Sequence, residues 1–365
     1  MAKSEQQESL KSLGSDLRFW GWPGFFAAMP SNAVLVIEPK FIKALGLARG
    51  KLKCQVIAPE KAWKSPELDQ PEAILVFAAE REWQLARKLA KANPASNVVA
   101  ATYHLAAASL TRPLKLPEGL TSHSSKKPDQ TILMLSTPGS DGEYVAQLMA
   151  ANGLPEAQEY LAKPFISLLD HIKGFQPLTF LKVAAGLNMS DGIFALHLQT
   201  DVLQKVIKSS RLNASRLNSL TDKSGASLVR IRREGRSHQA AILSLMHGRP
   251  MRSVWTLPPA QRKNFPGSLN IPTLIAFEQI SALEEQDLWL SKLLRSQNNV
   301  LTIDPVDVAE DQKGSLTDIA KHLGTNFEGD VKAIDFWEPY EKPALAAMTR
   351  EFQRELIDRI GLHVL

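Results

Sequence analysis

Hydrophobic and polar positions divide the chain into short unbroken apolar runs and longer stretches with a helical period. In the first third the runs are Ala33–Ile37 (AVLVI), Cys54–Ile57 (CQVI), Ala73–Phe77 (AILVF) and Asn97–Ala101 (NVVAA). Helical patterning lies between them, most clearly over Glu80–Ala92. Unbroken apolar strands that alternate with helices predict a parallel sheet covered on both faces. The segment Phe19–Phe26 (FWGWPGFF) is aromatic without a period. It reads first as packing against that sheet, and second as an interaction surface.

A polar, turn-rich stretch, Gly119–Gln130 (GLTSHSSKKPDQ), then interrupts the pattern. It marks the expected domain boundary, with residues 1–125 before it and 126–365 after it. Beyond it the strand runs are Thr131–Ser136, Gly192–Leu198 (GIFALHL), Ser227–Ile231 and Val300–Ile303. Helices are predicted at Glu143–Ala151, Val202–Ser209, His238–Met246, Ile280–Arg295, Leu316–Leu323 and Ala344–Ile360. The expected fold class is α/β throughout: a smaller N-terminal α/β domain, and a C-terminal parallel sheet with flanking helices.

Composition narrows the setting. The 365 residues are 44% hydrophobic and 22% charged, as in ordinary globular chains. No apolar run approaches the roughly 20 residues of a membrane span. The start is polar and mixed in charge, unlike a secretory signal. A single cysteine, Cys54, leaves no partner for an internal disulfide and points to a reducing, cytoplasmic location. The net charge is +5 and the excess is local. Nine Lys/Arg between Lys205 and Arg236 face only two acids, Asp222 and Glu234. Such a run is either a solvated face or a site for an anionic partner. No recognition motif or interleaved aromatics accompany it, so nucleic acid is not the expected partner.

Chemistry concentrates after Thr131. The stretch TILMLSTPGSDGEYVAQLM is an apolar strand, a turn through Pro138, Gly139 and Gly142, and an amphipathic helix. A strand, glycine turn and helix start is a common way to hold a phosphate. This turn has no cation and carries Asp141 and Glu143. At ~4 Å and a surface-like dielectric, each acid opposes an anion by up to about 4 kcal/mol. A structural reading of the same residues is a capping box. Ser140 would be the N-cap and Glu143 would reach back to it, worth roughly 1 kcal/mol. In the first domain, VLVIEPKF carries no glycine-rich dinucleotide fingerprint after its strand.

Several pieces of the second domain resemble, in order, the bacterial PAPS-dependent sulfotransferases of the trehalose/lipopolysaccharide, nodulation-type class. They are the opening strand–loop–helix, the turn GLPEAQEYL (Gly153–Leu161), the strand DGIFALHLQ and the segment SLVRIRREGRSHQAAILSLMHGRPMRSVW. The helix–strand EEQDLWLSKLLRSQNNVLTI and the closing DPVDVAEDQKGSLTDIAKHLG complete the series. The resemblance covers roughly Thr131 to Ile360. It implies a P-loop-like, sulfotransferase-like sheet that transfers a sulfuryl group from the nucleotide donor PAPS to a carbohydrate hydroxyl, without a metal. Position by position it implies donor contacts at Gly139, Ser140, Asp141 and Gly142. It implies 3′-phosphate contacts at Arg232, Arg233 and Arg236, and a catalytic base at Glu159. His197 stands where the family carries a lysine and is a second catalytic candidate. The loop departs from the family: its arginine falls on Gly139, its glycine on Asp141, and its hydroxyl pair on Gly142 and Glu143.

Each candidate also has a plain structural reading. Glu159 is a turn acid, one of Arg232 and Arg233 makes a structural ion pair, and His197 is a satisfied core histidine. Trp255 and Trp289 read as core, and His238 and His247 have no metal-ligand spacing. Three rival functions stay open. The fold has lost donor binding and serves as a binding or assembly module, with a protein partner or self-association through the N-terminal domain. It uses another anionic donor. Or PGSDG is a nucleophile elbow with Ser140 as nucleophile and Asp304 and His322 downstream.

Overall fold

The structure is a computed structural model. It describes residues 2–19, 21–48, 50, 52–108, 128–161, 168, 171–210, 227–246, 273–295, 297, 299–336, 346–347, 350 and 354. The chain divides into two compact units. Unit 1 gathers Met1–Asp129, Glu159–Phe194 and Gln204–Leu217; unit 2 gathers Gln130–Gln158, Ala195–Leu203 and Asn218–Leu365.

Unit 1 opens with α1 (Ala2–Phe19) and α2 (Trp22–Ala27), and continues β1 (Val34–Ile37), α3 (Pro39–Leu45), β2 (Gln55–Ile57) and α4 (Pro59–Lys64). It goes on through β3 (Ala73–Phe77), α5 (Glu82–Ala92), β4 (Asn97–Ala100) and α6 (Ala101–Ala108), and later adds the helix Pro177–Asn188. The strands pair in parallel in the order β2-β1-β3-β4. β1 and β3 are buried at every position, as unbroken apolar runs demand of central parallel strands. The aromatic segment after α1 is core. Trp22 and Phe26 are fully buried and pack against Phe77, which also stacks on Phe41 at 4.2 Å. Offset stacking of this kind adds about 0.5–1.5 kcal/mol beyond burial. α1 reads as polar, yet Leu13 and Leu17 are fully buried, and it crosses α3 so closely that a Cβ at Gly14 would collide with the Ala44 carbonyl.

Unit 2 is built on β5 (Gln130–Ser136), β6 (Ile193–Gln199), β7 (Ser227–Ile231) and β8 (Val300–Ile303), in the order β6-β5-β7-β8. β5 pairs with β7, and β7 with β8, in parallel. The helix after β5 is α7 (Gly142–Ala151), and the unit 1 helix Pro177–Asn188 is α8. Then come α9 (Thr200–Ser210), α10 (Arg236–Met246), α11 (Thr273–Leu294), α12 (Pro305–Glu310) and α13 (Gln312–His322). Asp304 and Asp311 cap α12 and α13 by accepting from Val306 and Gly314 backbone N–H, each at 2.8 Å. Tyr144 of α7 is fully buried edge-on to Phe336 at 4.8 Å. The eight strands are the eight apolar runs expected from the sequence, within a residue at each end. Most of the predicted helix Ala344–Ile360 lies outside the described residues, as do Trp255 and His247. No helix among the described residues is long and apolar enough to cross a membrane.

Candidate functional site

In each sheet the first strand is central and the chain winds away from it in both directions. Open parallel sheets bind ligands where that winding reverses, outside the carboxyl ends of the strands. In unit 2 this crevice lies between β5 and β7. The loop Ser136–Gly142 leaves one strand there, and Arg232–Gly235 leaves the other.

The loop is held from below. The Ser136 hydroxyl and His197 Nε2 hydrogen-bond at 2.8 Å, both fully buried. Thr137 Oγ1 and the Pro138 carbonyl accept from the Gln239 side-chain amide at 2.7 and 3.0 Å. Ser140 Oγ donates to the Thr137 carbonyl at 2.7 Å. Two glycines are required by crowding. A Cβ at Gly139 would sit 3.0 Å from the Gln239 carbonyl, and one at Gly142 would sit 2.6 Å from His197 Nε2. Gly142 thus makes room for a histidine of the protein itself.

The capping box does not form. The residue entering α7 is Asp141, in a left-handed conformation (φ +56°), and its side chain makes no cap bond. Glu143 instead accepts from Gln199 Nε2 at 2.8 Å. Asp141 points its carboxylate into the crevice. Oδ2 accepts from Arg233 Nη1 and lies 3.0 Å from His238 Nε2. All three side chains are at most 4% exposed. Arg233 also lies over the Phe336 ring, 5.2 Å from its centroid. A left-handed aspartate is a cost that its surroundings must offset. Here a buried cation and an imidazole do so.

The other arginines turn away from this loop. Residues two apart on a strand share a face, so Arg230 and Arg232 look toward α11 while Arg233 looks toward Asp141. Asp287 Oδ1 holds Arg230 Nη2 at 2.7 Å, and Oδ2 holds Arg236 Nη2 at 2.7 Å. Arg232 Nε stands farther off, 3.5 Å from Asp287, with its side chain 52% exposed. Arg236 is further fixed by Glu284 at 3.0 Å and Gln239 at 2.7 Å. Asp287 is therefore a hub that sequence reasoning missed. Its only signal is Glu284 and Asp287 three apart on one helix face.

The structure brings Gly139, Ser140, Asp141, Gly142 and His197 together around the loop, and joins Arg233 to them through Asp141. Arg232 and Arg236 gather instead on Asp287. Glu159 is half-buried and is the first residue of a unit 1 segment, immediately after Gln158, whose carbonyl accepts from the His197 N–H at 2.9 Å. Of metal-ligand side chains in unit 2, Glu143 and His197 bring ligand atoms within 4.8 Å of each other, but each already bonds a neighbour, Gln199 and Ser136. Among the described residues no nucleophile–base relay forms around Ser140. Its hydroxyl meets a backbone carbonyl, Asp304 caps α12 and accepts from the Glu234 N–H at 2.8 Å, and His322 Nε2 lies 2.9 Å from the Leu228 carbonyl. No protein-family model matches the chain, and comparison with curated proteins gives no match either.

Proposed function

We propose that unit 2 is a sulfotransferase-like domain that has exchanged its nucleotide donor for carboxylates of its own, and that it works as a non-catalytic binding or assembly module. The observation that carries this reading is the Asp141 carboxylate, seated between Arg233 and His238 where the resemblance places the phosphosulfate. Asp287 repeats the arrangement with Arg232 and Arg236, two of the arginines assigned to the 3′-phosphate, and with Arg230 beside them. PAPS would have to displace two carboxylates from cations that are largely desolvated. Breaking one buried pair costs about 3–5 kcal/mol, which a donor contact would first have to recover.

Calorimetry with PAP, the desulfated donor, tests the reading. The wild-type protein is expected to give no binding heat at millimolar PAP. Asp141→Gly restores the glycine of the resembling loop and suits the positive φ. It leaves Arg233 and His238 facing an open crevice and is expected to gain affinity for PAP and for sulfate. Micromolar PAP binding by the wild type, lost in an Arg232→Ala/Arg233→Ala double variant, would overturn the proposal and restore the transferase reading.

A further inference from the structure

After α13 the chain of unit 2 runs without regular structure over residues 325–336. Thr325 N–H donates to the Ala320 carbonyl at 2.9 Å, and the segment then lies along α7. Two side-chain amides hold it there. Asn152, at the C-cap of α7, accepts from Lys332 N–H at 2.8 Å and donates to the Lys332 carbonyl at 3.1 Å. Gln312, the first residue of α13, accepts from Ile334 N–H at 3.2 Å and donates to the Ile334 carbonyl at 2.9 Å. Each amide takes both backbone groups of one residue, at alternate positions of an extended chain, as a neighbouring strand would.

The direction of the segment follows from lengths. Asn152 and Tyr144 are separated by about 12 Å of helix. Lys332 and Phe336 are separated by about 13 Å of extended chain. The segment therefore runs antiparallel to α7 and delivers Phe336 to its first turn. There the Phe336 ring meets Tyr144 edge-on and lies against the Arg233 guanidinium, the group that holds Asp141. The hold is light. Every residue from 325 to 336 is exposed or half-buried. Among the described residues no ion pair anchors Glu328, Asp330, Lys332 or Asp335. Little buried apolar surface and exposed backbone bonds mark a segment that opens locally. Net hydrogen-bond gains are modest, and the entropy of ordering an extended chain opposes them.

We propose that residues 325–336 are a releasable strap that gates the unit 2 crevice. With Phe336 seated, the Arg233–Asp141 pair is shut off from solvent; when Asn152 and Gln312 let go, it opens. The gate regulates the site proposed above, and it rests on that reading for what the open crevice admits. A strap that is mostly closed lowers the apparent affinity of anything that needs the open form, in proportion to the open fraction. Loosening the strap raises that affinity without altering Arg233 or His238.

The test uses the full chain and two variants. Asn152→Ala/Gln312→Ala removes the anchors, and Phe336→Ala removes the ring while keeping the anchors. None of the three side chains is fully buried, so the core of unit 2 is kept. Hydrogen exchange at the Lys332 and Ile334 amides reads the strap itself. The anchor variant is expected to exchange there about tenfold faster than the wild type, or more. Phenylglyoxal labelling of Arg233, located by mass spectrometry, reads the crevice. Both variants are expected to label about tenfold faster or more. Placed in Asp141→Gly, either variant is expected to tighten sulfate binding in calorimetry. Arg233 labelling that is unchanged in both variants, whether or not exchange quickens, would overturn the gate, whatever Asp141→Gly binds. Faster labelling with no sulfate binding in any Asp141→Gly protein would keep the gate and sink the proposed reading of the site.

Discussion

Both sheets wind outward from their first strand, and both bring a carboxylate to the crevice where the winding reverses. In unit 1 that group is Glu38, at the end of β1, and its Oε1 accepts from the Ala79 backbone N–H after β3 at 2.5 Å. In unit 2 it is Asp141, after β5, which meets Arg233 and His238 after β7. The two crevices are filled from the same side of the same strand order, but by partners of different kind. Glu38 bonds a neutral amide through Oε1, meets the half-exposed Lys40 ammonium at 3.3 Å through Oε2, and keeps some solvent, its side chain 20% exposed. Asp141 is 3% exposed and faces a guanidinium. The difference teaches where each unit is vulnerable. A carboxylate on an amide can lose its charge at modest cost, whereas a buried ion pair tolerates no half.

The largest expected effect tests that asymmetry directly. Arg233→Ala leaves the Asp141 carboxylate buried with His238 as its remaining partner of the two. Breaking a buried pair costs about 3–5 kcal/mol. The unit 2 unfolding transition in urea is expected to move to lower denaturant by that amount, with the unit 1 transition unchanged. A loss below about 1 kcal/mol, the range of exposed pairs, would mean that Asp141 is effectively solvated and the contrast fails.

The second test turns to unit 1 and to its buried acid Glu82, at the first turn of α5, the more buried of Glu82 and Asp16. Its carboxylate accepts from Thr102 N and Thr102 Oγ1, each at 2.7 Å, and from Ala78 N at 3.3 Å. Burial nevertheless pushes its carboxyl up to about 8, against the pull of those donors and with a smaller push from Glu38. The sign follows from which state holds the proton. Below about 4.5, the ordinary value, native and unfolded chains are both protonated and the contribution is fully present. Between there and about 8 the unfolded chain ionises first, so stability falls as pH rises. Each pH unit within that window costs up to about 1.4 kcal/mol. Glu82→Gln is expected to flatten the decline in the unit 1 transition. An unchanged slope in the variant would show that the three donors, not burial, set the titration.

These contrasts explain what the sequence made legible. The central strands were readable because parallel strands buried on both faces are written as unbroken apolar runs, AILVF at Ala73–Phe77 being the plainest, and the half-buried edge strands β2 and β8 were readable as short apolar runs between helical patterns. α1 was not, because among the described side chains of its polar sequence only Leu13 and Leu17 reach full burial. α8 was not, because PLTFLKVAAGLN has no polar face to give it a period. At the site, the loop and its flanking arginines were visible as residue types. Their partners were not. Arg233 lies 92 positions from Asp141, and Arg230 lies 57 from Asp287, and no spacing rule spans such distances. The S-x-x-E at Ser140–Glu143 promised a local cap, but Asp141 enters the helix in a left-handed conformation with its carboxylate on Arg233 and His238 instead. Local propensity lost to long-range charge.

The smallest effect is expected at Glu38, and it links the crevice of unit 1 to the buried acid of α5. Glu38→Gln keeps an oxygen to accept from Ala79, so the hydrogen bond survives and loses only its charge assistance. The stability change is expected to be about 1 kcal/mol or less. One consequence of the lost charge is easier to read. Glu82 loses one group that raises its titration, so the upper edge of its pH window should move down. An unchanged edge would mean that the Glu38 charge does not reach Glu82. A protein that loses several kcal/mol would place Glu38 beside Asp141, as a charge whose partner cannot do without it.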